Sequence, residues 1–229
     1  MHKEIDSLAA AIGYRFRDEK LLERAVTHSS FSNERKLGKS GNYERLEFLG
    51  DAVLELVCSA HLYAYYPDKP EGELTRIRAS LVCEPALAFC AHDLSLSDYI
   101  RLGKGEEAQG GRERESVIAD VMEAITGAIY LDGGFEAARD FIMTFILNDI
   151  ENKGLFYDAK TVLQETVQGE GMGKLEYKLL REEGPEHNKL FTSAVYLNGE
   201  AIGEGTGRNK KTAEQNAALE AIQELRKGN

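Results

Sequence analysis

Through most of the first 150 residues, apolar side chains recur every third or fourth position, the period of helices with one buried face. In "DEKLLERAVTH" (18–28), Leu21, Leu22, Ala25 and Val26 form one such stripe. Residues 43–66 carry it through Leu46, Leu49, Val53, Leu56 and Val57, until Pro67 and Pro70 stop it. "GELTRIRASLV" resumes a helix, and "EPALAFCAHDL" starts another with Pro85 in its first turn. Residues 114–134 read as helix up to an Asp-Gly-Gly end, and 135–151 as a strongly apolar helix. "GKGEEAQGGRERES" (103–116) reads as a loop.

The pattern changes near "NKGLFYDA" (152–159). Asp158 can cap a helix through "AKTVLQETVQG". Leu175, Tyr177 and Leu179, then Phe191, Val195 and Leu197, alternate with polar residues as half-buried strands do. Asn198-Gly199 suits a tight hairpin turn, and "EAIGEGTG" reads as a third strand. In the closing helix, Ala213, Ala217 and Ala221 form a small-residue face for packing on a sheet. The expected architecture is multi-domain: an all-α domain over 1–151, a linker over 152–157, and a small α+β domain (α-β-β-β-α) over 158–229.

Charge narrows the functional options. The net charge of −11 divides into −9 over 1–157 and −2 over 158–229, so neither part is basic. Any contact with nucleic acid must rest on local clusters. No apolar run is long enough to span a membrane, and the N-terminus lacks a hydrophobic signal region. Cys58, Cys83 and Cys90 lack metal spacing and read as reduced, buried thiols, which predicts a cytoplasmic chain.

The chemistry lies in acids set among apolar residues. "NYERLEFLGDAVLEL" places Glu44, Glu47 and Asp51 at i, i+3 and i+7, close to one helical face. "IADVMEAI" adds Asp120 and Glu123. An acidic pair on a helix is commonly a solvated face. Held at the edge of apolar packing, however, clustered carboxylates either protonate or bind a cation. Oxygen-only ligands favour Mg²⁺, which suits phosphoryl transfer. No Gly-rich phosphate loop is present, so phosphodiester hydrolysis is favoured over nucleotide-driven chemistry.

"ERLEFLGDAVL" closely resembles the signature of the ribonuclease III family. "PEGELTRIRASLV", "ESVIADVMEAITGAIYLDGG" and the C-terminal module resemble that family too, in its order and over nearly the whole chain. The resemblance implies a helical endonuclease domain followed by a double-stranded-RNA-binding domain. It implies metal ligation by Glu47, Asp51, Asp120 and Glu123, and a catalytic set of Asp51, Glu123, Glu44 and Glu71. Glu44 and Glu71 match further acids near the cut phosphate. It implies a homodimer that cuts both strands of a duplex in ribosomal and messenger RNA precursors, leaving 5′-phosphate and 3′-hydroxyl ends. No small-molecule cofactor or membrane partner is expected. Phe48 either enters the partner subunit or packs in its own core.

The resemblance also places RNA contacts in the second domain. Thr161, Gln164, Glu165 and Gln168 would read the minor groove and 2′-hydroxyls. His187 would reach the next minor groove, and Asn209, Lys210 and Lys211 would meet phosphates. His28 in "THSS" reads as structural. Arg112 and Arg114 either approach RNA or pair with nearby glutamates. Two rival functions are a non-cleaving double-stranded-RNA-binding regulator and a DNA-directed nuclease. The 2′-hydroxyl-reading face argues against the latter.

Overall fold

The computed structural model describes residues 2–227 except 39, 149, 185–188 and 208. The chain forms two compact units, Met1–Asn148 and Asp149–Asn229.

The first unit is helical: α1 (His2–Ile12), α2 (Glu19–Ala25), α3 (Ser29–Glu34), α4 (Glu44–Tyr65), α5 (Glu71–Val82), α6 (Glu84–Ala91), α7 (Lys104–Ala108), α8 (Glu115–Gly133) and α9 (Phe135–Phe145). At its centre is α8, which packs against α4, α6, α9 and α2. Its residues from Val121 to Ile129, apart from Glu123, are all buried. A helix apolar on nearly every side must be enclosed by others, and α8 is. It ends where the Asp-Gly-Gly signal predicts, with Gly134 at φ 84°.

Asp132, in the last turn of α8, fastens the N-terminal segment. It accepts hydrogen bonds from the Tyr14 hydroxyl at 2.7 Å and from the Arg17 and Asp18 amides, each at 2.9 Å. Partial burial works to raise its carboxyl pKa, but these donors outweigh it and hold the carboxyl below its usual value.

Several expectations are corrected. The apolar run over 135–151 is broken: α9 ends at Phe145 and α10 (Ile150–Gly169) begins a new helix. That helix runs through 152–157, so the stretch expected to link the two domains is helical, and Asp158 is interior to the helix instead of capping one. The stretch contains no proline, and a lone Gly154 costs a helix only about 1 kcal/mol. The loop expected over 103–116 contains α7 and a short 3₁₀ turn. Leu56, placed in the apolar stripe of α4, is 57% exposed, while Leu54 is fully buried.

The second unit places α10 and α11 (Lys210–Lys227) against a three-stranded antiparallel sheet in the order β1 (Leu175–Glu183), β2 (Leu190–Leu197), β3 (Glu200–Gly207). Ala159, Leu163 and Val167 of α10, Val195 of β2, and Ala217, Ala218, Ala221 and Ile222 of α11 form its core. The alanine face of α11 lies directly on glycines of β3. A Cβ on Gly203 would sit 2.4 Å from the Ala217 carbonyl oxygen, and one on Gly205 would sit 2.2 Å from the Ala217 nitrogen. Asn198 and Gly199 turn the hairpin with φ 53° and 90°, the positive pair that a type I′ turn needs. Leu175 and Tyr177 face the core as expected, but Leu179 is 40% exposed. Leu179 still pairs with Ser193 in the register of Tyr177, and the register shift comes after it, between Leu179 and Arg181.

Candidate active site

The acids stand on two helices that touch backbone to backbone. A Cβ added to Gly50 would lie 1.8 Å from the Glu123 carbonyl oxygen, and one on Gly127 would lie 2.2 Å from that of Leu46. Only glycine at both positions lets α4 and α8 approach this closely. That approach sets Glu47 and Asp51, which flank Gly50, against the Asp120–Glu123 turn. An isolated glycine inside a helical stripe is the available sequence signal, since alanine would favour the helix.

The carboxyls act on one another. Burial pushes Glu123 up to about 8, helped by the charges of Asp51, Glu47, Asp120 and Glu84. Burial pushes Glu47 up to about 7, helped by Asp120, Glu44 and Asp51. Asp120 is also raised, chiefly by burial and by Glu84, against a hydrogen bond from Tyr43 and the influence of His28. Among the described residues, no three His, Cys, Asp or Glu side chains converge as closely as a formed metal cage requires. The coupling operates at Coulombic range. The donors are all carboxylate oxygens whose charges burden one another, which fits a hard divalent cation.

Tyr43 and Glu84 complete this surrounding, and sequence reasoning missed both. Tyr43 is buried, and its hydroxyl donates to Asp120 Oδ2 at 3.0 Å. Its carbonyl accepts from the Leu46 and Glu47 amides at the start of α4. Glu84 is in the first turn of α6, and "EPALAF" signalled only a helix start. His28 serves a structural role: its Nδ1 caps α3 by accepting from the Ser30 amide at 3.2 Å, and its ring lies 5.6 Å from that of Tyr43.

The structure does not bring every expected residue to this place. Glu71 is in the first turn of α5 and accepts from the Thr75 hydroxyl at 3.0 Å. It is not among the groups that raise Glu47, Asp120 or Glu123. Arg112 and Arg114 pair with Glu107 and Glu106, at 2.8 and 2.9 Å. Phe48 is 80% exposed, which excludes the reading as core of its own protomer.

In the second unit, Gln164, Glu165 and Gln168 are exposed and Thr161 is half-buried, all on the side of α10 away from Leu163 and Val167. Asn209 caps α11, its Oδ1 accepting from the Thr212 amide at 2.8 Å. Lys210 and Lys211 follow, both exposed, and Lys210 pairs with Glu182 at 3.1 Å. His187 lies outside the described residues.

Comparison with known proteins agrees with this division. Residues 18–150 match the Ribonuclease-III-like family, and residues 159–225 match the double-stranded RNA binding motif. Ribonuclease 3 of Bacillus velezensis is 51% identical over 219 residues, covering 94% of this chain and 88% of the relative. That of Anoxybacillus flavithermus is 53% identical over 216 residues, covering 93% and 91%. The chain belongs to the ribonuclease III family. Its helical unit is also similar in structure to the nuclease domain of ribonuclease III from Campylobacter jejuni, at a TM-score of 0.58 and 44% identity, covering 62% of this chain and 95% of that one. The helical unit carries the Ribonuclease-III-like match and the small α+β unit the double-stranded RNA binding motif, in that order. Among the described residues, no helix is long and apolar enough to cross a membrane.

Proposed function

We propose that this chain is a divalent-metal-dependent endonuclease that hydrolyses phosphodiester bonds in double-stranded RNA, leaving 5′-phosphate and 3′-hydroxyl ends. The observation that carries this is the glycine-mediated approach of α4 to α8, which sets two acidic turns together; burial, helped by the neighbouring carboxylates, pushes Glu47 up to about 7 and Glu123 up to about 8. Glu47, Asp51, Asp120 and Glu123 would hold the cation, and Mg²⁺ is the hard ion such donors favour. Bound there, it supplies Lewis-acid polarisation of the phosphate and activation of water at neutral pH. Glu44 stands one turn before Glu47 and extends the acidic face to the site's edge. Glu71 is assigned no part in this protomer's cluster.

The acidic nuclease unit needs help to hold a polyanion. The exposed polar side of α10 and the lysines at the start of α11 supply it, reading A-form shape over about 16 base pairs. Cutting both strands calls for two clusters related by a two-fold axis, hence a homodimer. Phe48, Leu56 and Tyr63 are 80%, 57% and 77% exposed within one broad side of α4, an apolar surface suited to a second copy. Precursors of ribosomal and messenger RNA are substrates of the right kind. No disulfide joins Cys58, Cys83 or Cys90, which suits the reducing cytoplasm.

Incubation with an end-labelled RNA duplex tests the reading. Cutting in Mg²⁺, with binding but no cutting in Ca²⁺, is expected. Binding without cutting in either ion would favour a non-cleaving regulator. A DNA duplex should compete poorly.

A further inference from the structure

We infer that Tyr43 is a positioning residue for the metal site, holding Asp120 by one carboxylate oxygen so that the other is presented to the cation. The inference rests on the reading of Asp120 as a ligand, and deepens it.

The geometry is specific. The Tyr43 side chain is 3% exposed, and its hydroxyl donates to Asp120 Oδ2 at 3.0 Å. Oδ1 has no such restraint from Tyr43. A carboxylate turning freely about its last bond would present either oxygen. One anchored by a buried donor presents a single oxygen in a narrow range of orientations. Tyr43 can anchor because its own position is over-determined. Its amide donates to the Thr27 carbonyl at 2.9 Å, and its carbonyl accepts from the first amides of α4. Thr27 belongs to a short extended stretch that pairs with Arg101: the Arg101 amide donates to Val26 O at 2.8 Å, and the His28 amide donates to Arg101 O at 3.0 Å. The His28 ring packs against Tyr43 and is fixed in turn by Ser30. Ser30 also accepts from the Gly103 amide at 2.9 Å. A stiff frame from outside α4 and α8 thus ends on one oxygen of Asp120.

The test is Mn²⁺ affinity, measured without RNA by electron paramagnetic resonance on the full chain, for the wild type, Tyr43→Phe, Asp120→Ala and the double variant. Tyr43→Phe should weaken Mn²⁺ binding about tenfold. It should shift the Mg²⁺ midpoint for cutting by a similar factor, with duplex affinity in Ca²⁺ unchanged. In the Asp120→Ala background the same change should have little further effect, because Tyr43 acts through Asp120. Unchanged Mn²⁺ affinity in Tyr43→Phe, with Asp120→Ala weakened, overturns this inference alone. So does a tenfold loss that persists in the Asp120→Ala background. If Asp120→Ala itself binds Mn²⁺ normally, the ligand reading falls and the inference falls with it. Should Tyr43→Phe not fold, p-aminophenylalanine (donor kept) and p-methylphenylalanine (donor lost) at position 43 give the same comparison.

Discussion

Replacing Glu123 with Gln removes a charge whose burden can be calculated. The Glu123 carboxyl is carried from 4.5 to about 8, mainly by burial and then by Asp51, Glu47 and Asp120. At about 1.4 kcal/mol per pKa unit, full ionisation costs the metal-free fold at most ~5 kcal/mol relative to the unfolded chain. Solvent reaching the half-buried side chain screens part of this, and Glu47 loses its proton over an overlapping range. About 2 kcal/mol should survive. The sign follows from proton uptake. Between roughly 4.5 and 8 the folded state keeps a proton that the unfolded state has lost, so stability falls as pH rises through this window. Glu123→Gln cannot ionise and escapes the loss. In chelator, the variant should match the wild type at pH 5 and melt higher at pH 9, by about 6 °C at the ~3 °C per kcal/mol typical of a unit this size. Calorimetry across pH separates the nuclease transition from that of the second unit. The same variant should lose cutting while still binding duplex. An equal difference at pH 5 and pH 9, or a less stable variant at pH 9, would refute the coupling. Near-normal turnover would refute the site.

Other expectations follow from particular contacts. Gly127→Ala drives a methyl into the Leu46 carbonyl and should destabilise the nuclease unit by about 3 kcal/mol, with loss of cutting, read by thermal melting and a duplex assay. Asp132→Asn loses a charged acceptor of the N-terminal segment, at a cost of about 1–2 kcal/mol at neutral pH. Because the Asp132 carboxyl is held low in the fold, the difference should shrink as pH drops below its usual value, a trend that urea melts can follow. Phe48→Ala should weaken self-association by about 2 kcal/mol, roughly thirtyfold, in sedimentation. A chain ending at Asn148 should bind duplex weakly at physiological salt yet retain some cutting at low salt. Complete loss of cutting, with the truncated chain folded and dimeric, would contradict the division of labour.

The sequence was most informative where one local rule governed. Pro67 and Pro70 stop α4 because proline cannot continue a helix, and Asn198-Gly199 turns the hairpin because both positions need positive φ. It misled where local rules were neutral. Asp158 is a residue type that caps helices, but the residues before it, 152–157, contain no proline and lie within α10. Leu179 fits the strand alternation, yet it is 40% exposed.

The sequence by itself determined that helices would carry acids at i, i+3 and i+7 beside apolar stripes, because periodicity and charge are properties of neighbouring residues. It also determined the order of the two units, through their different periods. Which acids meet was decided only by tertiary structure. Gly50 and Gly127 bring α4 against α8, the buried Tyr43 reaches Asp120, and Glu84 arrives from α6. Coulomb energy and burial depend on distances between segments far apart in the chain, and those distances exist only once the helices have packed.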